Sequence, residues 1–147
     1  MASPKTCKIL TRLGASWDAR NVYNALMRER RTCRKVILGD DRVGRIGIGG
    51  DSPVAVQSMC SVFTHEIDVC LAEINKLAAA GADVVRVAVP ERKDTEALAE
   101  IMKQTPVPIV ADVHFHYKRA LEAADKGAAC LRINPGNIGN SARVREV

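Results

Sequence analysis

Apolar residues fall in two alternating patterns along this chain. Short, mainly apolar runs occupy Val54–Met59, Val84–Val89, Ile109–Val113 and Ala129–Asn134. Between them the apolar positions spread to helical spacing. In Glu66–Ala80 they fall at Ile67, Cys70, Leu71, Ile74, Leu77 and Ala78, which is one face of a helix. Gly81 marks its end. Asp94 reads as the N-cap of a helix reaching about Lys103, stopped by Pro106 and Pro108. A third helix is predicted over His116–Lys126, with Leu121 and Ala124 apolar and Gly127 as its stop. Ser141–Val147 reads as the opening turns of a fourth. Ahead of these units, Lys35–Gly39 and Arg45–Gly49 flank a polar turn and predict a β-hairpin.

Apolar strands alternating with helices imply a parallel sheet covered by helices. The expected fold is α/β: a basic extension over 1–34, a hairpin, and from 35 to 147 four βα units forming the N-terminal half of a (β/α)8 barrel. Two units share a pattern that fixes side-chain direction. Gly81 to Arg86 and Gly127 to Arg132 both place an arginine five residues after a glycine. With period-2 alternation, Arg86 and Arg132 then point into the barrel at similar height, while Val85, Val87, Leu131 and Ile133 face the helices. Asp112 and His114 share a face of the third strand. The polar set Arg86, Asp112, His114, Arg132 and Asn134 therefore gathers at the carboxyl ends of neighbouring strands, where barrels of this kind hold their active sites.

Two inward arginines suit an anionic ligand, because guanidinium presents a planar fork to phosphate oxygens. The competing reading is an internal ion pair between Asp112 and one arginine. Asp112, His114 and His116 also alternate as metal ligands would, but His116 falls past the strand end and is expected to be an exposed cap residue. The loop Pro135-Gly136-Asn137-Ile138-Gly139 offers backbone N–H groups as an anion nest. Gln57 and Ser58 close the first strand, either lining the same mouth or capping it.

Charge changes the picture at one end only. The whole chain has 22 basic and 17 acidic side chains. Nine of the basic residues lie in 1–39 against Asp18 and Glu29, a local net of +7, which leaves 13 basic against 15 acidic beyond, a net of −2. The basic balance thus belongs to a leader, and nucleic-acid binding is not implied. The leader lacks a secretory core. It reads as a surface extension with a helix near 19–31, or as an organelle transit peptide. No apolar run reaches the roughly 18 residues of a membrane span. Five scattered cysteines without a C-x-x-C pair fit neither a disulfide framework nor a metal site. Cys70 and Cys130 read as small buried apolar groups.

Four strings carry a resemblance: Val56-Gln57-Ser58-Met59, Gly81 to Pro90, Pro108 to Phe115, and Cys130-Leu131-Arg132-Ile133-Asn134-Pro135-Gly136-Asn137-Ile138-Gly139-Asn140. In this order they resemble the 4-hydroxy-3-methylbut-2-enyl diphosphate synthase family from about Arg34 onward. The resemblance implies reductive ring opening and dehydration of 2-C-methyl-D-erythritol 2,4-cyclodiphosphate in isoprenoid biosynthesis. It implies electrons from ferredoxin or flavodoxin through a [4Fe-4S] cluster, held on a separate C-terminal domain by three cysteines and a glutamate, in a homodimer. It assigns Arg86 and Arg132 to the diphosphate, and Asp112, His114 and Asn134 to the same pocket; Asn137, within the anion nest, is expected to join the substrate-binding set. Members usually continue Gln-Ser-Met with Thr-Asn-Thr; Cys60-Ser61-Val62 departs from that. No cysteine here matches a cluster ligand, so this chain alone is expected to be inactive, and the open edges of a half barrel are expected to make it associate. Two alternatives remain open: a phosphate-binding barrel synthase of the dihydropteroate type, and a truncated non-catalytic fragment that binds anions or partner chains. The compartment is expected to be the bacterial cytoplasm, or a plastid if the leader is a transit peptide.

Overall fold

A computed structural model describes residues 32–147; the expected helix near 19–31 lies outside them. The hairpin forms as expected. Strands β1 (Val36–Leu38) and β2 (Ile46–Ile48) pair antiparallel, with Val36 opposite Ile48. Asp40 shapes their turn by accepting from the Arg42 and Val43 N–H groups at 2.9 and 3.1 Å. Those hydrogen bonds, Val43 first, hold its carboxyl below the usual carboxylate range.

The remaining elements run β3 (Gln57–Met59), α1 (Ile67–Ala79), β4 (Val84–Ala88), α2 (Arg92–Gln104), β5 (Ile109–Val113), α3 (Tyr117–Asp125), β6 (Cys130–Ile133), α4 (Pro135–Ile138) and α5 (Ser141–Glu146). The sheet is wholly parallel and its order is β3-β4-β5-β6, the order of the chain itself. A doubly wound sheet reverses its order at a switch point. This one never does, so right-handed crossovers put every helix on one face and leave the other as a barrel interior.

The helix-covered face is the core. Val85, Val87, Val89, Ile109, Ala111 and Val113 are fully buried there, against Cys70 and Ile74 of α1, Leu98 and Ile101 of α2, and Ala120 and Ala123 of α3. Each fully buried large aliphatic contributes about 1.5–3 kcal/mol relative to exposure. Gly81 and Gly127 end α1 and α3 at φ +100° and +90°, a left-handed conformation that a β-carbon would strain.

Three expectations shift. The 54–59 run is not a buried strand: only Gln57–Met59 pair, and Val54 is 82% exposed. Among the described residues this strand lies at an edge of the sheet, so its outer side is open. Asp94 is not the N-cap of α2. Glu91 holds that position, and Asp94 sits three residues on, where their side chains close a reciprocal capping box. Helix α3 buries Ala120 and Ala123, while Leu121 is half-buried and Ala124 exposed. Small residues let α3 lie close on β5, and the larger Leu121 is turned aside.

Candidate anion site at the carboxyl ends of the strands

Register decides which side chains meet. Asp112 stands opposite Ala88 on one side and Arg132 on the other. Arg86 is level with Val110, two residues back along the ladder. Its long side chain spans that offset. Asp112 joins the two strands through different oxygens: Oδ1 accepts from Arg132 Nη1 at 2.9 Å, and Oδ2 lies 3.5 Å from Arg86 Nε. His114, two residues on and on the same face, brings Nε2 to 3.2 Å from Oδ2. The carboxylate is 2% exposed, whereas the Arg86, Arg132 and His114 side chains are 29%, 44% and 37% exposed. A buried anion thus anchors three partners that still reach solvent.

The internal ion pair weighed from sequence therefore exists, and it involves both arginines. It leaves charge over: two guanidinium cations share one carboxylate, and the surplus faces the open side. Such a cluster restrains each guanidinium without consuming its donors, since each has five and a fork geometry. Removing Asp112 would leave both arginines without their restraint and a polar hole in the sheet.

The other expected members behave differently. Asn134 is the N-cap of α4, its Oδ1 accepting from the Gly136 N–H at 3.1 Å. The Asn137 and Ile138 N–H groups bond to the Asn134 carbonyl at 2.9 and 3.2 Å. The expected anion nest is corrected accordingly: its donors at 136–138 are already taken up in one helical turn. Asn137 is exposed within that turn and is not among the hydrogen-bond or ion-pair partners of Asp112. His116 is the exposed N-cap residue of α3, apart from the Asp112–His114 contact.

Two features escaped the sequence. Met59 stands opposite Arg86, and its sulfur accepts from Arg86 Nε and Nη2 at 3.3 and 3.0 Å. The pairing places Gln57 on that face as well and Ser58, opposite Val85, on the helix side. The second feature is the loop after β3. Asp94, 2% exposed, accepts from the His65 N–H at 3.1 Å and contacts His65 Nδ1 at 2.8 Å. Thr64 Oγ1 donates to the Ala88 carbonyl at 2.6 Å, and Glu73 accepts from the Ser61 N–H and hydroxyl at 3.1 and 2.8 Å. These bonds tie the loop to β4, α1 and α2, and it walls a cavity of about 540 Å³ shared with Met59, Ala88 and His114. The polar residues Ser61, Thr64 and His65 after the first strand were the available signal.

The described cysteines lie apart from the Asp112 cluster. Cys60 and Cys70 are packed in the core. A hydrogen bond with Cys70, and after it burial, push the Cys60 thiol above its ordinary range. Cys33 is exposed beside Gly50. Among the described residues no three His, Cys, Asp or Glu side chains gather as metal ligands.

Comparison with known proteins gives this geometry a context. A family model described as the GcpE TIM-barrel domain matches residues 40–147. The chain belongs to the GcpE family. Relatives named 4-hydroxy-3-methylbut-2-en-1-yl diphosphate synthase (flavodoxin) include that of Hyphomonas neptunium, 56% identical over 119 residues, 81% of this chain and 30% of the relative. The Gluconacetobacter diazotrophicus protein is 53% identical over the same shares. That of Rhodospirillum rubrum is 55% identical over 118 residues, 80% of this chain and 29% of the relative. The chain thus spans about three-tenths of the length of these curated relatives. The GcpE match agrees with the unreversed strand order: the sheet is part of a TIM barrel. Among the described residues, no helix is long and apolar enough to cross a membrane.

Proposed function

We propose that this chain forms the diphosphate-binding part of a 4-hydroxy-3-methylbut-2-en-1-yl diphosphate synthase. The supporting observation is the Asp112-centred pair of arginines at the carboxyl end of a GcpE-type sheet, carrying more positive than negative charge. A cyclic diphosphate brings a rigid double anion. Arg86 and Arg132 would each turn a fork toward it while Asp112 keeps both guanidinium planes in place. His114, already bonded to Asp112, would present the same face to a ligand hydroxyl or phosphate oxygen. Asn134 and Asn137 would serve less directly, by shaping the turn that ends this wall. The ring-opening step needs two electrons and expels water, so developing negative charge on the freed diphosphate is what these arginines would stabilise.

In this reading a [4Fe-4S] cluster supplies the electrons when bound. The cysteines described here do not fit it, so its ligands lie outside this stretch, on a further domain brought over the barrel in a homodimer. The donor is a flavodoxin, as in the names of the relatives, and the setting is the bacterial cytoplasm. The GcpE match favours this reading over a dihydropteroate-type barrel, and the bacterial relatives lend no support to a transit peptide.

Binding of the cyclodiphosphate to the full chain tests the assignment. Arg86→Ala and Arg132→Ala should each weaken it by about tenfold or more, the scale of a lost charge-assisted bond. Unchanged affinity in both variants would overturn it.

A further inference from the structure

Arg86 and Arg132 are held by different acceptors. Arg132 donates through Nη1 to the Asp112 carboxylate at 2.9 Å. Arg86 keeps its Nε 3.5 Å from that carboxylate and donates instead to the Met59 sulfur, from Nε at 3.3 Å and from Nη2 at 3.0 Å. Nε and Nη2 form one of the edges through which a guanidinium meets a phosphate in a bidentate pair. So an edge of Arg86 that suits an anion rests on a thioether, a weak acceptor. The backbone fixes this contact. Met59 lies opposite Arg86 in the parallel ladder, and the next residue, Cys60, donates its N–H to the Arg86 carbonyl at 2.9 Å.

The sulfur is also within reach of small solutes. Met59 is 38% exposed and lines the cavity of about 540 Å³ that it shares with Ala88 and His114. Met102, the other methionine among the described residues, packs against the core from α2, on the helix-covered face. A weak acceptor beside Arg86 aligns the guanidinium and then yields to a diphosphate oxygen. A sulfoxide would not yield. Oxidation turns the apolar thioether into a polar group whose oxygen is a strong acceptor, one bond beyond the sulfur.

We propose that Met59 is an oxidation site that gates Arg86: conversion of its thioether to the sulfoxide withdraws the Arg86 fork from an anionic ligand, and reduction returns it. The inference rests on the reading of this site as a diphosphate site and adds its regulation. The oxidant is a small hydroperoxide, hydrogen peroxide being the simplest. The sulfur lone pair attacks one peroxide oxygen, the O–O bond breaks and an S–O bond forms. The second oxygen leaves with both protons as water. Sulfur loses two electrons and the peroxide gains them. Methionine sulfoxide reductases reverse the step: their thiols supply two electrons, end as a disulfide, and the oxygen leaves as water. Arg132 keeps its bond to Asp112 throughout, so oxidation weakens the site rather than abolishing it.

The test measures pyrophosphate binding to the full chain by calorimetry, before and after hydrogen peroxide, a readout that needs no electron transfer. Peroxide should add the mass of one oxygen atom to the peptide containing Met59 and weaken binding by about tenfold, the scale of one lost charge-assisted bond. Treatment with the reductases for both sulfoxide epimers should restore it. Each variant is scored by its own ratio of affinities, untreated against treated. That ratio should fall to about one in Met59→Leu, which fills a similar volume without an oxidisable sulfur. It should keep its wild-type size in Met102→Leu. Met59→Gln sets a carbonyl acceptor beside Arg86 and should bind weakly with no oxidant at all. Undiminished affinity in the oxidised protein, the same loss in Met59→Leu, or wild-type affinity in Met59→Gln would overturn the proposal. Recovery with dithiothreitol alone, the mark of cysteine oxidation, would overturn it as well. Pyrophosphate binding to the untreated chain that ignores Arg86 and Arg132 would instead overturn the diphosphate reading, and this inference with it.

Discussion

The two faces of strands β4, β5 and β6 are made from alternate residues of the same short segments, yet they obey opposite rules. On the helix side Val85, Val87, Ile109, Ala111 and Val113 are fully buried among aliphatic side chains. On the interior side Arg86, Asp112 and Arg132 hold one another by charge, and two of the three remain substantially exposed. The difference teaches how a barrel separates stability from chemistry. Apolar burial is non-directional and needs only volume and parity, so the helix face can be assembled from interchangeable aliphatics. The interior face needs particular atoms at particular registers, because a buried carboxylate must be matched by its partners.

The comparison breaks most visibly from the helix side. Leu98→Ala removes a fully buried side chain and leaves a cavity. It should cost about 2–5 kcal/mol in chemical denaturation, with anion affinity of the folded protein unchanged. A loss of affinity there would mean the two faces are coupled. Asp112→Ala attacks the opposite face. It removes the anchor of two arginines and a histidine and should lower both stability and pyrophosphate affinity, the latter by about tenfold by calorimetry. If affinity rose instead, Asp112 would be a competitor for the ligand's place rather than its organiser. Asp94→Ala should sharpen the boundary between them. It opens the Glu91–Asp94 capping box and frees the loop held by His65, at about 1–2 kcal/mol, with the β4–β5–β6 amides unmoved in NMR spectra. Smallest of all, Glu96→Ala breaks an exposed pair with Arg92 and should change stability by less than about 0.5 kcal/mol.

What could be read from the sequence divides along the same line. The four βα units and the inward parity of Arg86, Asp112 and Arg132 follow from apolar periodicity and from a glycine-to-arginine spacing seen twice, signals that need no third dimension. Where the first strand begins was not readable: Val54 and Val56 look like core in a one-dimensional pattern, yet pairing starts only at Gln57 and both valines are exposed. Capping was also hidden. Asp94 and Asn134 are both good cap residues, and only backbone angles show one at the third helical position and the other consuming a loop's donors. The Met59–Arg86 contact depends on register between two strands 27 residues apart, which side-chain type alone does not signal. The resemblance to a known synthase family suggested a ligand class, and the geometry adds that Arg86, Asp112, His114 and Arg132 meet on one open face of the sheet.

The most direct measurement of the central claim is the rise in melting temperature that the cyclodiphosphate induces in the full chain. Ligand binding to the folded state alone raises stability by mass action. The rise should survive intact in Leu98→Ala, whose own melting point is lower, and vanish in the Arg86→Ala, Arg132→Ala double variant. A rise that persists in the double arginine variant would contradict the account.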